Sequence, residues 1–451
     1  MQIAGLPTPA LPVWVQTLLY GLRPVPFFEW CHRRFGDVFV VRLPGNGAEV
    51  VLADPQAIKE VMALEADDFT AAAIAPILEP FLGPRSLLLL DGERHRAERR
   101  AMAHSLHGSS VATHEQVMTA ATTRELESWP VGRPFALHPR LQAITLEVIA
   151  ELVFGADEVQ ARAQLVHALR PWLDQGGSVT LLYEPLRREL RGLSPWGRFV
   201  ATRRRIDEIL DDHIATRRHD PHLGDRHDVL SRLLLAEHQL DDMSIRDQLM
   251  TMLAAGHDTS ATALSWAFAL LLRHPEALER LVAEIDAGEE DEYLDAVVKE
   301  TLRLTPVVLQ IGRTLTHDVV INGSTIPAGF AASPSVLLAQ RDPTRYPDPR
   351  SFRPERFLGR PADPHSFLPF GGGLRRCIGA AFATLEIKTV LRTVLASVQL
   401  RPVGRMEKPR RRAVTMVPSR RCRVVMVGRR DAASAVVRLA DLGLGRPEID
   451  A

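Results

Sequence analysis

The pattern of apolar and polar positions predicts few strands and many helices. Two short apolar, β-branched runs, GDVFVVRL (36–43) and AEVVLA (48–53), flank PGNG and predict a hairpin. A second β-rich patch covers DVVINGSTIPAG (318–329), with Asn322-Gly323 as its turn, and a third lies in RAVTMVPSRRCRVVMV (412–427). Most of the remainder has helical spacing. The clearest helix begins at Ser244, where Asp247 completes an S-x-x-D cap, and continues through LMTMLAAGHDTSATALSWAFALLLRH. At about 30 residues it exceeds most globular helices and is expected to cross the molecule. The pattern therefore predicts a mainly α fold with small sheets, an α+β arrangement.

Composition narrows the class. The chain has 451 residues, 46% hydrophobic and 24% charged, as an ordinary globular protein does. With 55 basic and 55 acidic residues the net charge is zero, so no global field recruits nucleic acid or an anionic membrane. Lysine occurs only at Lys59, Lys299, Lys388 and Lys408, an arginine and alanine bias expected of a GC-rich bacterial gene. Three cysteines, Cys31, Cys377 and Cys422, argue against a disulfide framework and for a reducing compartment. The N-terminal stretch lacks a charged region and is broken by Pro7, Pro9 and Pro12, so neither a signal peptide nor a membrane anchor is expected. A soluble, cytoplasmic protein is expected. There is no internal repeat, no G-x-G-x-x-G after a strand and no Walker loop, which argues against a nicotinamide, flavin or ATP domain. Residues 431–451 read as an appended tail after a body of 1–430.

The densest chemistry lies in FGGGLRRCIG, Phe370 to Gly379, followed directly by the helix former AAFATLEIK. One reading is a surface turn with a structural cysteine, since free cysteine often serves as a small hydrophobe. The other starts from the neighbours of Cys377. Amides at the start of the following helix, and the helix dipole, favour a thiolate there. Glycines at 371, 372, 373 and 379 let backbone approach a large flat partner. Arg375 can bind a carboxylate on that partner. Thiolate, flat partner and carboxylate together describe haem held through an axial cysteine.

The spacing F-x-x-G-x-R-x-C-x-G, at Phe370, Gly373, Arg375, Cys377 and Gly379, resembles the haem-binding loop of the cytochromes P450. Further segments extend the resemblance over nearly the whole chain. Glu300 and Arg303 in ETLR lie three apart, where they can pair on one helical face, although many such pairs are surface features. The resemblance implies that they form a structural triad with Arg356 of FRPERF. His95 and Arg99 in DGERHRAERR would otherwise read as a solvated basic face. The resemblance implies that both reach a haem propionate, as does Arg313 in QIGRTL.

AAGHDTS interrupts the long apolar helix with Gly256, Asp258 and Thr259. A glycine kink with Thr259 bonded back to a carbonyl would explain it without chemistry. In this setting it resembles the oxygen-activating groove of the family. Gly256 would then leave space beside the iron, Thr259 would hold oxygen or its water, and Asp258 would relay protons from solvent; His257 has no role. His219, His222 and His227 sit in a Pro/Gly loop without the fixed spacing of a metal site and read as solvated.

The resemblance implies the cytochrome P450 fold as a single large haem-binding domain, with haem b (iron protoporphyrin IX) ligated by Cys377. It implies a monomeric monooxygenase that inserts one atom of O2 into a C–H or C=C bond of a hydrophobic small molecule. Electrons would come from a separate ferredoxin and its reductase, docking where Arg96, Arg100 and Arg376 are expected to cluster. A peroxygenase or isomerase, or a haem-based sensor, is the alternative. Pocket-lining segments of the family are apolar here: AAIAPILEPFLG (72–83), VVLQI (307–311) and VTMV (414–417). Val307, Val308, Gln310 and Met416 are the expected pocket residues, with Gln310 as polar handle. Without a carboxylate anchor, a neutral terpenoid, steroid or macrolide-like molecule is favoured over a fatty acid.

Overall fold

The structure, a computed structural model, describes residues 2–3, 5–43, 47–71, 75–103, 111–155, 158–175, 187–188, 194–236, 240–288 and 290–430. The tail at 431–451 and the turn at 44–46 lie outside the described residues. The chain divides into two compact units: the described parts of Met1–Phe69, Met118–Ile144 and Thr259–Ala451, and those of Thr70–Val117 and Thr145–Asp258.

The first unit holds the sheets. Val38–Leu43 pairs antiparallel with Gly47–Leu52, Phe39 opposite Val51, as the hairpin pattern predicts. Ala331–Pro334 adds parallel to Gly47–Leu52 and antiparallel to Arg313–Leu315, which brings segments some 260 positions apart in sequence into one five-stranded sheet ending at Phe69–Thr70. The strands at its centre are buried on both faces because helices cover them. Asn322 and Gly323 have φ of 46° and 74°, the left-handed pair that a tight turn between Val319–Ile321 and Ser324–Ile326 requires. The third β-rich patch resolves into a hairpin, Pro409–Arg412 with Thr415–Pro418, and the strand Arg423–Arg429, which pairs with Val398–Pro402 and Pro134–Ala136.

Helix starts follow local chemistry. Asp54, before Pro55–Met62, accepts the Ala57 amide at 2.8 Å, and Ser194, before Pro195–Arg218, accepts the Gly197 amide at 2.9 Å. Both place proline at the first helical position, where its missing N–H costs nothing.

The long helix is Asp242–Leu271, 30 residues or about 45 Å. Its start corrects the sequence reading. Asp241, and not Ser244, is the capping residue: its carboxylate accepts the Ser244 amide at 2.9 Å. Asp247 is not part of a cap box. It accepts the Arg85 amide at 3.0 Å and faces Arg203 at 3.4 Å. A side chain on Gly83 would sit 2.0 Å from that carboxylate, so glycine is required there.

Candidate haem-thiolate site

The cysteine loop is built by local bonds. Gly371 (φ 70°) donates to the Leu368 carbonyl at 3.0 Å, Gly373–Arg375 make one 3-10 turn, and the Cys377 amide donates to the Phe370 carbonyl at 2.8 Å. The helix Ala380–Ser397 starts three residues later. Cys377 is exposed, whereas Cys31 and Cys422 are buried. Burial pushes the Cys31 thiol up to about 12 and raises Cys422 as well, so neither is a ready thiolate. Among the three cysteines, only Cys377 is accessible to a ligand.

The glycines serve the protein before any cofactor. A side chain at Gly373 would lie 2.2 Å from the Met62 carbonyl oxygen, and one at Gly372 2.8 Å from the Met62 sulfur. The loop thus sits against the end of the helix Pro55–Met62, and these two glycines answer to that contact rather than to a flat partner alone.

Arg313 and Arg375 come together on Phe69, with guanidinium carbons 4.9 and 5.9 Å from its ring centroid. Arg313 is buried and donates to the carbonyls of Gly372 (3.1 Å) and Gly312 (3.3 Å), which are neutral acceptors. Burial, then the charge of Arg375, pulls Arg313 down to about 10. Two adjacent guanidiniums, one buried and one half-buried, are electrostatically matched to a carboxylate ligand. An accessible cysteine at a helix start and a pair of arginines matched to an acid group fit a haem with propionates.

Glu300 and Arg303 are both fully buried and paired by two bonds of 2.6 and 2.8 Å. Arg356 approaches the same carboxylate at 3.3 Å, and the Arg353 amide donates to it at 2.8 Å. Arg303 also donates to the carbonyls of Gln340 and Pro349, at 2.8 Å each. The triad therefore fastens the loop of 340–356 to the helix Glu292–Leu304.

The expected pocket residues divide. Val307 and Val308 are half-buried, and the Val307 carbonyl accepts the Met416 amide at 2.8 Å. The Met416 side chain is not available to a ligand, because it packs in the core with Phe27, Phe28 and Leu309. The Gln310 amide is engaged at both ends, accepting from Tyr20 at 3.2 Å and donating to Glu49 at 3.2 Å. It bridges the protein interior instead of standing as a handle.

Sequence reasoning missed Glu386, on the helix that follows the cysteine loop. It is 1% exposed, and among the described residues neither carboxylate oxygen has a hydrogen bond of normal geometry. The Ser260 hydroxyl is near enough to offset the effect of burial only in part, and burial holds Glu386 up to about 8.

In the second unit, His95 is buried on the inner face of the helix Gly92–Ala103, with Arg99 half-buried one turn on. Arg96 and Arg100 point outward and share Glu93, at 3.1 and 3.6 Å. Gly256 faces Ile149: a side chain there would meet Ile149 at 3.0 Å, so the space the glycine leaves is filled by the neighbouring helix Leu137–Phe154. Thr145 donates to the His257 carbonyl at 2.9 Å. Ala255 is exposed and Asp258 half-buried. Thr259 follows in the first unit, also half-buried, and from Ser260 to Leu272 the chain is buried throughout. Beyond its exposed first residues, the helix is most open at this chemistry-bearing stretch. Phe81, in the expected pocket segment 72–83, stacks on Trp172 at 3.9 Å, and residues 72–74 lie outside the described set. His219 bonds the Ala215 carbonyl and His227 meets Arg232; no group of metal-ligating side chains occurs among the described residues.

The family model for Cytochrome P450 matches residues 5–424, through both units. The chain belongs to the cytochrome P450 family. It is 40% identical over 458 aligned residues to cytochrome P450 135B1 of Mycobacterium tuberculosis, covering 98% of this chain and 96% of that one. It is 37% identical to cytochrome P450 138 of the same organism, covering 87% and 90%. A cyanobacterial CYP120A1 with bound retinoic acid superposes with a TM-score of 0.80 and 28% identity, over 93% of this chain and 99% of that one. The haem domain of cytochrome P450DA, at 22% identity, shares the fold with a TM-score of 0.80. The protein is thus a P450 monooxygenase with a cysteine-ligated haem b. No described helix is long and apolar enough to cross a membrane.

Proposed function

We propose that this cytochrome P450 hydroxylates or epoxidises a hydrophobic small molecule in the cytoplasm, working as a monomer with electrons from a separate ferredoxin and its reductase. Residues 1–430 are the haem domain in this reading. The observation that carries it is the exposed Cys377 at a helix start, in the same unit as the Arg313 and Arg375 pair.

Bound haem supplies the one-electron and O2 chemistry. Cys377 would hold the haem iron through its thiolate, which the start of the helix Ala380–Ser397 favours. Arg313 and Arg375 bind carboxylate, the role also given to His95 and Arg99. Phe370, Gly373 and Gly379 shape the loop. Glu300, Arg303 and Arg356 hold the structure around it. Thr259 offers a hydroxyl to the reacting oxygen or to a water, and Asp258, half-buried, exchanges protons with solvent. Gly256 acts by letting Ile149 come close.

Val307 and Val308 give the pocket an apolar wall, which favours a neutral terpenoid, steroid or macrolide-like substrate. Substrate-dependent NADPH consumption with a surrogate ferredoxin and reductase tests the reading. Turnover with hydrogen peroxide alone, and none with the electron chain, would favour a peroxygenase. Arg100→Glu and Arg376→Glu, each at an exposed site, should slow reduction by ferredoxin at low salt without changing substrate affinity.

A further inference from the structure

The helix Val13–Leu22 has ten residues and no charged side chain, yet it lies at the surface. Gln16 is buried, and Leu19 and Tyr20 pack on the core of Phe27, Phe28 and Phe39. The opposite face is apolar and open: Trp14 is 70% exposed, Leu18 51% and Leu22 72%. These positions are four apart and form one stripe along the helix. Trp30, on the next helix Pro24–Phe35, is a second exposed tryptophan. Single exposed apolar residues are ordinary, but a continuous stripe marks a contact surface.

The unpaired charges around this stripe include three exposed arginines. Arg23 follows Leu22 directly, Arg33 stands one turn beyond Trp30, and Arg410 is exposed on the hairpin Pro409–Arg412 with Thr415–Pro418. That hairpin lies against the helix, with the Arg411 guanidinium 3.8 Å from the Tyr20 ring centroid. Among the described residues, Arg23, Arg33 and Arg410 have no ion-pair partner. Of the nearby acids, Glu29 pairs with Arg341 and Arg350, Asp37 hydrogen-bonds His32, and Glu49 and Glu407 are buried.

We propose that this surface docks on anionic phospholipid bilayers. The helix Val13–Leu22 lies in the interfacial plane, with Trp14, Leu18 and Leu22 toward the acyl chains and Arg23 and Arg410 at the lipid phosphates. Ten residues are half the length needed to span a bilayer, so the association is peripheral. Tryptophan is the side chain best suited to the interface. A second copy on the same face would cover the stripe, but it would set the unpaired arginines against their own counterparts, whereas anionic lipid satisfies both features.

The test is co-sedimentation of the haem-loaded protein with phosphatidylcholine vesicles, and with vesicles containing an equal part of phosphatidylglycerol. The protein is expected to sediment with the anionic vesicles only, and less so as salt is raised. Replacing both arginines (Arg23→Ala with Arg410→Ala) should weaken partitioning about 25-fold, from about fivefold per arginine. Trp14→Glu with Leu18→Glu should abolish it while leaving the haem spectrum and melting temperature unchanged, since both side chains are exposed. Failure of the parent protein to bind anionic vesicles overturns the proposal, as does undiminished binding by the Trp14/Leu18 variant. A dimer in solution that Trp14→Glu dissociates, without vesicle binding, overturns it in favour of a second copy.

Discussion

Arg313, which is buried, and Arg375, which is half-buried, rest on one phenyl ring, that of Phe69, so that two like charges stand side by side. Burial and the neighbouring Arg375 charge both disfavour the charged form of Arg313, and a carboxylate beside it would favour that form. Arg313→Gln should therefore weaken haem retention, by about 10- to 100-fold for the loss of one charged hydrogen bond. Haem transfer to an acceptor protein measures it. The gain in melting temperature on haem loading should shrink in the same variant.

Cys377→Ser should abolish the red-shifted carbon monoxide band of the reduced protein. Cys31→Ala and Cys422→Ala should keep it, because both thiols are buried and held protonated. A band that survives without Cys377 rejects the ligand assignment.

Breaking the buried pair with Arg303→Leu removes two of the bonds to the buried Glu300 carboxylate, leaving it Arg356 and the Arg353 amide, and should cost about 3–5 kcal/mol. Arg356→Leu should cost less, because Arg303 and the Arg353 amide still serve Glu300. Urea midpoints of the two variants rank them.

Thr259→Ala is expected to fold, bind haem and consume NADPH, since a small, half-buried side chain is lost. A larger share of the electrons should then leave as hydrogen peroxide, with less product per NADPH. Asp258→Asn should slow turnover by roughly 100-fold, the usual scale for a lost proton-transfer group. Unaltered coupling in the Thr259 variant would place proton delivery elsewhere.

Glu386 gives stability a pH slope. Its carboxyl is raised from 4.5 to about 8 by burial, so the folded protein holds a proton that the unfolded chain has already released. This contribution is complete below pH 4.5 and is lost as pH rises through about 8, on the order of 5 kcal/mol in total. Glu386→Gln should flatten the decline in melting temperature between pH 6 and 8. An identical slope in the variant would exclude this carboxyl as its source.

The features legible in the sequence are those set by neighbours in the chain. Asn322-Gly323 had to turn, and the cysteine loop carried its own spacing. The Glu300 and Arg303 pair was visible as one helical turn. What stayed hidden depends on partners far away in the chain. Nothing near position 373 announces the Met62 carbonyl, and Gly256 reads the same whether it faces a cofactor or Ile149. Asp247 looked like a capping residue until Arg85 and Gly83 claimed its carboxylate. Met416 lies in a strand whose four residues are all buried, so alternation could not say which side it faces.

The contact between Gly373 and Met62 changes how a mutational library over the cysteine loop should be read. Random replacement at 373 will return glycine under any selection that demands a folded chain, even one blind to catalysis, because every other residue strikes the Met62 carbonyl and must also adopt φ of 61°. Enrichment of glycine there measures foldability. Position 379, where an added side chain meets no protein atom within 4 Å, is the place in the loop where a strict preference for glycine would report on the cofactor itself.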